Sequence, residues 1–167
     1  MKVITVFFLI VFSVSQQPLD AQNNNDSLKI LLNQVLDQWH RDAATFNHKA
    51  YIGAMTDDGV FIGTDATENW STAEFSTWSK PYFDKKKTWD FKPFNRHLYV
   101  GENVATAWFD ELLDTQMGVC RGSGVLQKVN GRWKIAQYVL SMTIPNDIAK
   151  KVTLLKSAAD SLILMAR

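Results

Sequence analysis

Asp65 and Glu68 stand three residues apart in the segment Gly63-Thr64-Asp65-Ala66-Thr67-Glu68, between a run that reads as a buried strand and one that reads as a helix. Carboxylates placed there can reach the rim of a pocket. Burial that lifts a carboxyl pKa toward neutrality would let either one take up and return a proton. The same residue types also build turns, and this plainer role applies to both.

Asp110 and Glu111 adjoin within a strand, so they project to opposite faces and only one can look inward. If the hairpin between Trp89 and Asp114 turns at Gly101-Glu102, Glu111 lies across from Lys92 as a surface ion pair. Asp110 then shares a face with Trp108 and Asn95 and becomes the acid/base candidate beside Asp65.

Arg96 and Arg121 can each grip a carboxylate or phosphate through the guanidinium fork, and inside a protein each needs an anion. Internal pairing, for instance of Arg121 with Asp110 or Asp65, is the competing explanation. His97 titrates near neutrality, but a strand histidine between Arg96 and Leu98 is as readily a surface group.

His40 and His48 are too far apart for one coordination face and have no cysteine nearby, so no metal is expected. No cofactor is called for either. Cys120, the single cysteine, lacks an adjacent histidine to lower its pKa, and no intramolecular disulfide can form.

Six tryptophans and four tyrosines supply a large aromatic complement. Trp70, Trp78, Tyr82, Trp89, Trp108, Trp133 and Tyr138 are possible pocket lining; most must simply pack, while Tyr82, Trp108 and Tyr138 are the candidates to present a ring or hydroxyl to an apolar ligand.

The elements that position these groups follow from periodicity. Leu28, Leu31, Leu32, Val35, Leu36, Trp39, Ala43 and Phe46 recur at helical steps, with Asp26 or Ser27 available as cap. A short helix over 49–55 is expected to stop at Asp57-Asp58-Gly59, with a strand over 60–64 after it. Ser71-Thr72-Ala73-Glu74 has capping-box spacing before Phe75, Trp78 and Tyr82.

After Thr88 the pattern becomes two long hairpins. The second turns at Asn130-Gly131, which suits the positive φ angles of a type I′ turn. If Val129 pairs with Arg132, Gly124 faces Gln137, Gly122 faces Val139 and Cys120 faces Ser141. This makes Gln137, Val139 and Ser141 the inward positions of the last strand, neutral residues poorly suited to proton transfer. Beyond Pro145, the residues Ile148, Val152, Leu155, Ala159 and Leu162 form an apolar stripe that something must cover.

Met1-Lys2 followed by the apolar run Val3–Val14 has the form of a secretory leader, too short to span a bilayer. Cleavage is expected after Ala21, with Ser15 as the alternative, so residues 1–21 read as leader, 26–145 as the domain and 146–167 as a helical extension. Asn25-Asp26-Ser27 and Asn69-Trp70-Ser71 match the N-glycosylation pattern, which is common by chance. The net charge of +1 gives no electrostatic footprint for nucleic acid.

Four segments in order, Phe61-Ile62-Gly63-Thr64-Asp65-Ala66-Thr67-Glu68, Ala107-Trp108-Phe109-Asp110-Glu111, Cys120-Arg121-Gly122-Ser123-Gly124-Val125-Leu126 and Trp133-Lys134-Ile135-Ala136-Gln137-Tyr138, resemble the SnoaL-like branch of the nuclear transport factor 2-like superfamily from about Leu28 to Pro145. The resemblance implies an α+β cone: a curved antiparallel sheet wrapped around N-terminal helices, here with a C-terminal helix added. It also implies a pocket and a homodimer assembled through the sheets.

Because this fold hosts many functions, three remain open: an exported pocket protein holding a small, largely apolar molecule; an isomerase, cyclase or hydratase using Asp65 or Asp110; and a non-catalytic interaction module. No nucleic-acid partner and no stable membrane insertion are expected.

Overall fold

The computed structural model describes residues 17–166; most of the expected leader, residues 1–16, lies outside the described residues. The first helix, α1 (Gln17–Ala44), buries Leu32, Leu36, Trp39 and Ala43 along one face. Asp26 and Ser27 lie within this helix rather than capping it, and Leu31 and Phe46 are exposed.

Asn47 caps α2 (His48–Gly53) by accepting from the Ala50 amide. The Trp39 indole N–H donates to the Tyr51 carbonyl at 3.1 Å, fixing α2 against α1.

β1 (Met55–Ile62) starts earlier than expected, running through Asp57-Asp58-Gly59 as an irregular stretch of strand. After a short β2 (Asn69–Ser71), the capping box forms as read: the Ser71 hydroxyl accepts from the Glu74 amide, and the Glu74 carboxylate accepts from the Ser71 amide. In the helix it opens, α3 (Thr72–Asp84), the inward positions are Phe75, Ser79 and Phe83, so Trp78 and Tyr82 sit at the exposed edge.

Four long strands follow: β3 (Lys92–Val100), β4 (Thr106–Thr115), β5 (Gly118–Val129) and β6 (Arg132–Met142). The six strands form one sheet in the order β2-β1-β6-β5-β4-β3, antiparallel throughout except where β1 lies parallel to β6. The result is an α+β fold with a curved mixed sheet around α1, α2 and α3.

Two bulges decide which side chains enter the cone. Between β3 and β4 the connection is longer than a two-residue turn: Val100 pairs with Ala107, and the Gly101 amide donates to the Thr106 carbonyl at 2.8 Å. Phe94 pairs with Leu112 and His97 with Asp110, so Asn95 and Arg96 together oppose Glu111. Asn95 takes the left-handed conformation, φ 47°, that such an extra residue needs. Lys92 pairs with Asp114 rather than Glu111.

In the second hairpin Val129 pairs with Arg132, and Asn130 and Gly131 have φ of 49° and 78°, as the turn chemistry requires. Between Val125 and Leu126 the register then slips by one residue. Since side chains alternate with period two, that slip exchanges faces. Gly124 faces Tyr138, Gly122 faces Leu140 and Cys120 faces Met142. The inward residues of the last strand are therefore Tyr138 and Leu140, not Gln137, Val139 and Ser141.

The core is largely aromatic. Trp39 stacks on Tyr51 with centroids 4.8 Å apart, Phe61 stacks on Phe75 at 3.9 Å, and Tyr138 meets Trp39 edge-on at 4.6 Å. Glycines in β5 make room for this layer: a Cβ on Gly122 would overlap the Tyr138 hydroxyl, and one on Gly124 would overlap the Gln137 carbonyl oxygen.

The last helix, α4 (Ala149–Met165), buries no residue. Leu155 and Leu162, on the stripe expected to be covered, are 77% and 72% exposed.

Gly124→Ala is expected to destabilise the fold by ~1–3 kcal/mol through overpacking, because backbone rather than a movable side-chain tip blocks the added methyl. Urea unfolding should show a lower midpoint with unchanged slope; an unchanged midpoint would contradict the close packing at Gly124.

Candidate functional site

The local folding of β1, β2 and α3 builds an apolar cavity of about 170 Å³. Phe61 enters it from β1, Trp70 from β2, Phe75 and Trp78 from α3, and Leu140 from β6; Trp89, Phe91 and Met117 complete the apolar wall. Trp70 and Trp78 stack with centroids 4.5 Å apart, and Phe75 lies within 6 Å of both rings. Gly63, Thr64, Glu68 and Gln116 supply the polar edge. A dry apolar space of ~150 Å³ accommodates a benzene-sized guest, so one aromatic ring fits here.

Neither sequence-derived aspartate lies in this cavity. Asp65 is fully exposed, and its carboxylate accepts from the Thr67 hydroxyl at 2.6 Å and the Thr67 amide at 2.9 Å. The Thr67 side chain and backbone hold its pKa below the ordinary value, opposite to what a proton acceptor working near neutrality needs. The neighbouring Glu68 accepts from the Asp65 amide at 3.1 Å, and the loop fits because residue 63 is glycine: a Cβ there would strike the Glu68 carboxylate.

Asp110 lies on the outer face of the sheet, paired with His97 at 3.2 Å. Trp108 is on that face too, stacked on Tyr99 at 5.8 Å. Arg121 is exposed there, and Tyr82 packs on Trp78 at the exposed edge of α3. Of the residues selected from sequence, Glu68, Trp70, Trp78 and Trp89 line the cavity. Tyr138 and Arg96 reach a different interior feature.

That feature is centred on Glu111, which is completely buried. One carboxylate oxygen faces His40 Nε2 at 2.7 Å and accepts from the Tyr138 hydroxyl at 3.2 Å; the other accepts from Arg96 Nε at 2.7 Å. Arg96 Nη1 donates to Asp37 at 2.8 Å and to the Asn33 side-chain oxygen at 3.0 Å. The cluster joins α1 (Asn33, Asp37, His40) to β3, β4 and β6.

Burial by itself would raise the Glu111 pKa; the His40 and Arg96 contacts outweigh it and hold the carboxyl below the ordinary value. Burial, reinforced by the adjacent Glu111 charge, pushes the Tyr138 hydroxyl well above its usual range, so it serves as a neutral donor.

His40 also forms part of the wall of an open cleft of about 550 Å³ with Asp37, Arg41, Asp90, Phe91 and Lys92. Phe91 lines both this cleft and the aromatic cavity. Among the described residues, no three or more His, Cys, Asp or Glu side chains converge in a way that could hold a metal ion, and no helix is long and apolar enough to cross a membrane.

Deleting the Glu111 carboxylate removes the buried anion of Arg96, leaving it only Asp37 and Asn33, and takes the acceptor from Tyr138; Glu111→Ala is expected to cost ~3–5 kcal/mol. A group whose folded pKa is depressed contributes stability above its unfolded pKa of about 4.5 and loses it as pH falls through the folded value. Tm scans below pH 4.5 should therefore drop more steeply for the wild type than for Glu111→Gln. Parallel curves would assign the acid limb to other carboxylates.

Three solved structures illustrate the likeness of fold. A nuclear transport factor 2-like protein of unknown function from Pseudomonas putida is 11% identical, with TM-score 0.61 over 72% of this chain and 90% of its own. A function-unknown protein from Mycobacterium tuberculosis, carried as an Asp-to-Asn variant, is 16% identical, with TM-score 0.61 over 81% and 82%. A nuclear transport factor 2-like protein with a cystatin-like fold from Novosphingobium aromaticivorans is 8% identical, with TM-score 0.62 over 83% and 97%. At these identities the likeness is one of fold alone. No curated protein matches the chain. The SnoaL-like domain family matches residues 32–145, more than half of the sequence, and the chain belongs to that family.

Proposed function

We propose that this protein is an exported binder of a small, largely apolar molecule, held in the cavity walled by Phe61, Trp70, Phe75 and Trp78. One observation carries the reading: the space between α3 and the sheet is largely apolar, aromatic on several sides and the size of a single ring. Its edge offers one carboxylate, Glu68, already engaged by its own loop. A reading in which Asp65 or Asp110 performs acid/base catalysis loses its support, since both lie outside the cavity. The leader-like Met1–Val14 supports export.

The reading extends to a homodimer through the outer sheet face, where Phe94, Tyr99, Trp108 and Val119 are exposed. Tyr99 and Trp108 stack on each other on that face, and exposed apolar side chains grouped in this way suit a protein interface.

Phenol is the probe for the cavity. Tryptophan fluorescence should be quenched saturably in the wild type and not in Met117→Trp, which fills the cavity with a ring of its own. Quenching that is linear with phenol and identical in both proteins would remove the binding claim. Sedimentation equilibrium tests the dimer: the wild type should run at twice the chain mass and Trp108→Glu at or near the monomer mass, whereas a monomeric wild type would reject it.

A further inference from the structure

The aromatic cavity adjoins a second space at its Gly63–Glu68 side. Gly63, Thr64 and Glu68 line it, and the same three residues line a second cleft of about 460 Å³ whose opposite wall is α4. The cleft runs between Ile62, the loop through Asn69, and one face of the helix made by Lys156, Ala159, Asp160 and Ile163. These helix positions are separated by three and four residues, so they form one continuous strip. The cavity thus shares its Gly63–Glu68 edge with a trough roofed by a helix.

From this adjacency we infer that the ligand is longer than the cavity: one apolar ring seated among the tryptophans, carrying a short unbranched alkyl arm that passes the Glu68 side chain at Gly63 and lies beneath α4. The inference rests on the pocket reading above and adds the shape of the ligand to it.

The charges of the trough are already satisfied locally. Lys156 binds both oxygens of Asp160 at 2.6 and 2.7 Å, Asp65 is held by Thr67, and Glu68 accepts from the Asp65 amide. The surface left to meet an occupant is Ile62, Gly63, Ala66, Ala159 and Ile163, which suits methylenes better than a charged group.

The position of α4 fits the same role. The helix buries no side chain, so packing does not account for its station over the loop. It also lies beyond residues 32–145, the part of the chain that the family shares. The helical wall of the trough therefore lies outside the part of the chain that the family model matches.

A series of phenol, 4-ethylphenol, 4-butylphenol and 4-hexylphenol, titrated by tryptophan quenching, tests the arm. Affinity of the complete chain should rise about fourfold for each methylene that is buried. In full-length Ile163→Glu and Ala159→Glu, the rise should flatten while phenol binding stays unchanged. Both positions are on an exposed helix, so folding is preserved.

If phenol binds but the series is flat in the wild type, or rises equally in both variants, the arm is overturned and the pocket stands. If no member quenches saturably, the pocket reading itself falls. Tyramine binding more tightly than 4-ethylphenol would also overturn the arm as stated, because the carboxylates of the trough rather than its apolar walls would then be choosing the ligand.

Discussion

The buried carboxylate of Glu111 constrains the whole molecule. A charge at zero exposure is tolerated only with close partners, and here they come from three directions: His40 on α1, Arg96 on β3 and Tyr138 on β6. Each contact fixes a different element relative to β4. The hydrophobic layer of Trp39, Phe61, Phe75 and Tyr138 supplies more of the gross driving force, but it is nondirectional. The hydrogen-bonded charges specify the helix's rotation and height over the sheet. Gly122 belongs to the same arrangement, since its missing side chain is the space through which the Tyr138 hydroxyl reaches Glu111.

Elements with a local signature were legible in the sequence. The Ser71–Glu74 capping box and the Asn130-Gly131 turn depend on neighbours a few residues away and appear as read. Which of Asp110 and Glu111 points inward could not be settled that way. Their opposition was certain from alternation, but the choice depended on an absolute register, and two irregularities altered it. The loop after Val100 is longer than a tight turn, and Asn95 is extruded as a bulge. Nothing in Phe94-Asn95-Arg96-His97 announces the bulge except an asparagine, the residue type that tolerates positive φ. The slip at Val125 hid Tyr138 in the same way. His40 was legible as part of α1, but its partner lies seventy-one positions away, beyond the reach of spacing arguments.

The aromatic residues divide along a line that composition cannot draw. Trp39 and Tyr51 fill space and complete the core, whereas Trp70 and Trp78 stack against each other beside a gap. The difference arises from the rotation of α3, which turns Phe75 and Phe83 inward and leaves Trp78 at the margin. A helix a fraction of a turn away would have closed the cavity with its own tryptophan.

The parallel pairing of β1 with β6 bears on the order of assembly. Hairpins β3–β4, β4–β5 and β5–β6 join neighbours in sequence, while Phe61 must find Tyr138 across most of the domain. Contacts of such long loop closure are slow to form, so topology favours a four-strand meander that matures before β1 docks along its edge. The cavity is built on β1, β2 and α3, the elements brought in by that last docking. An occupant bound there would add contacts absent until the end of folding, and would act chiefly by retarding escape from the native state.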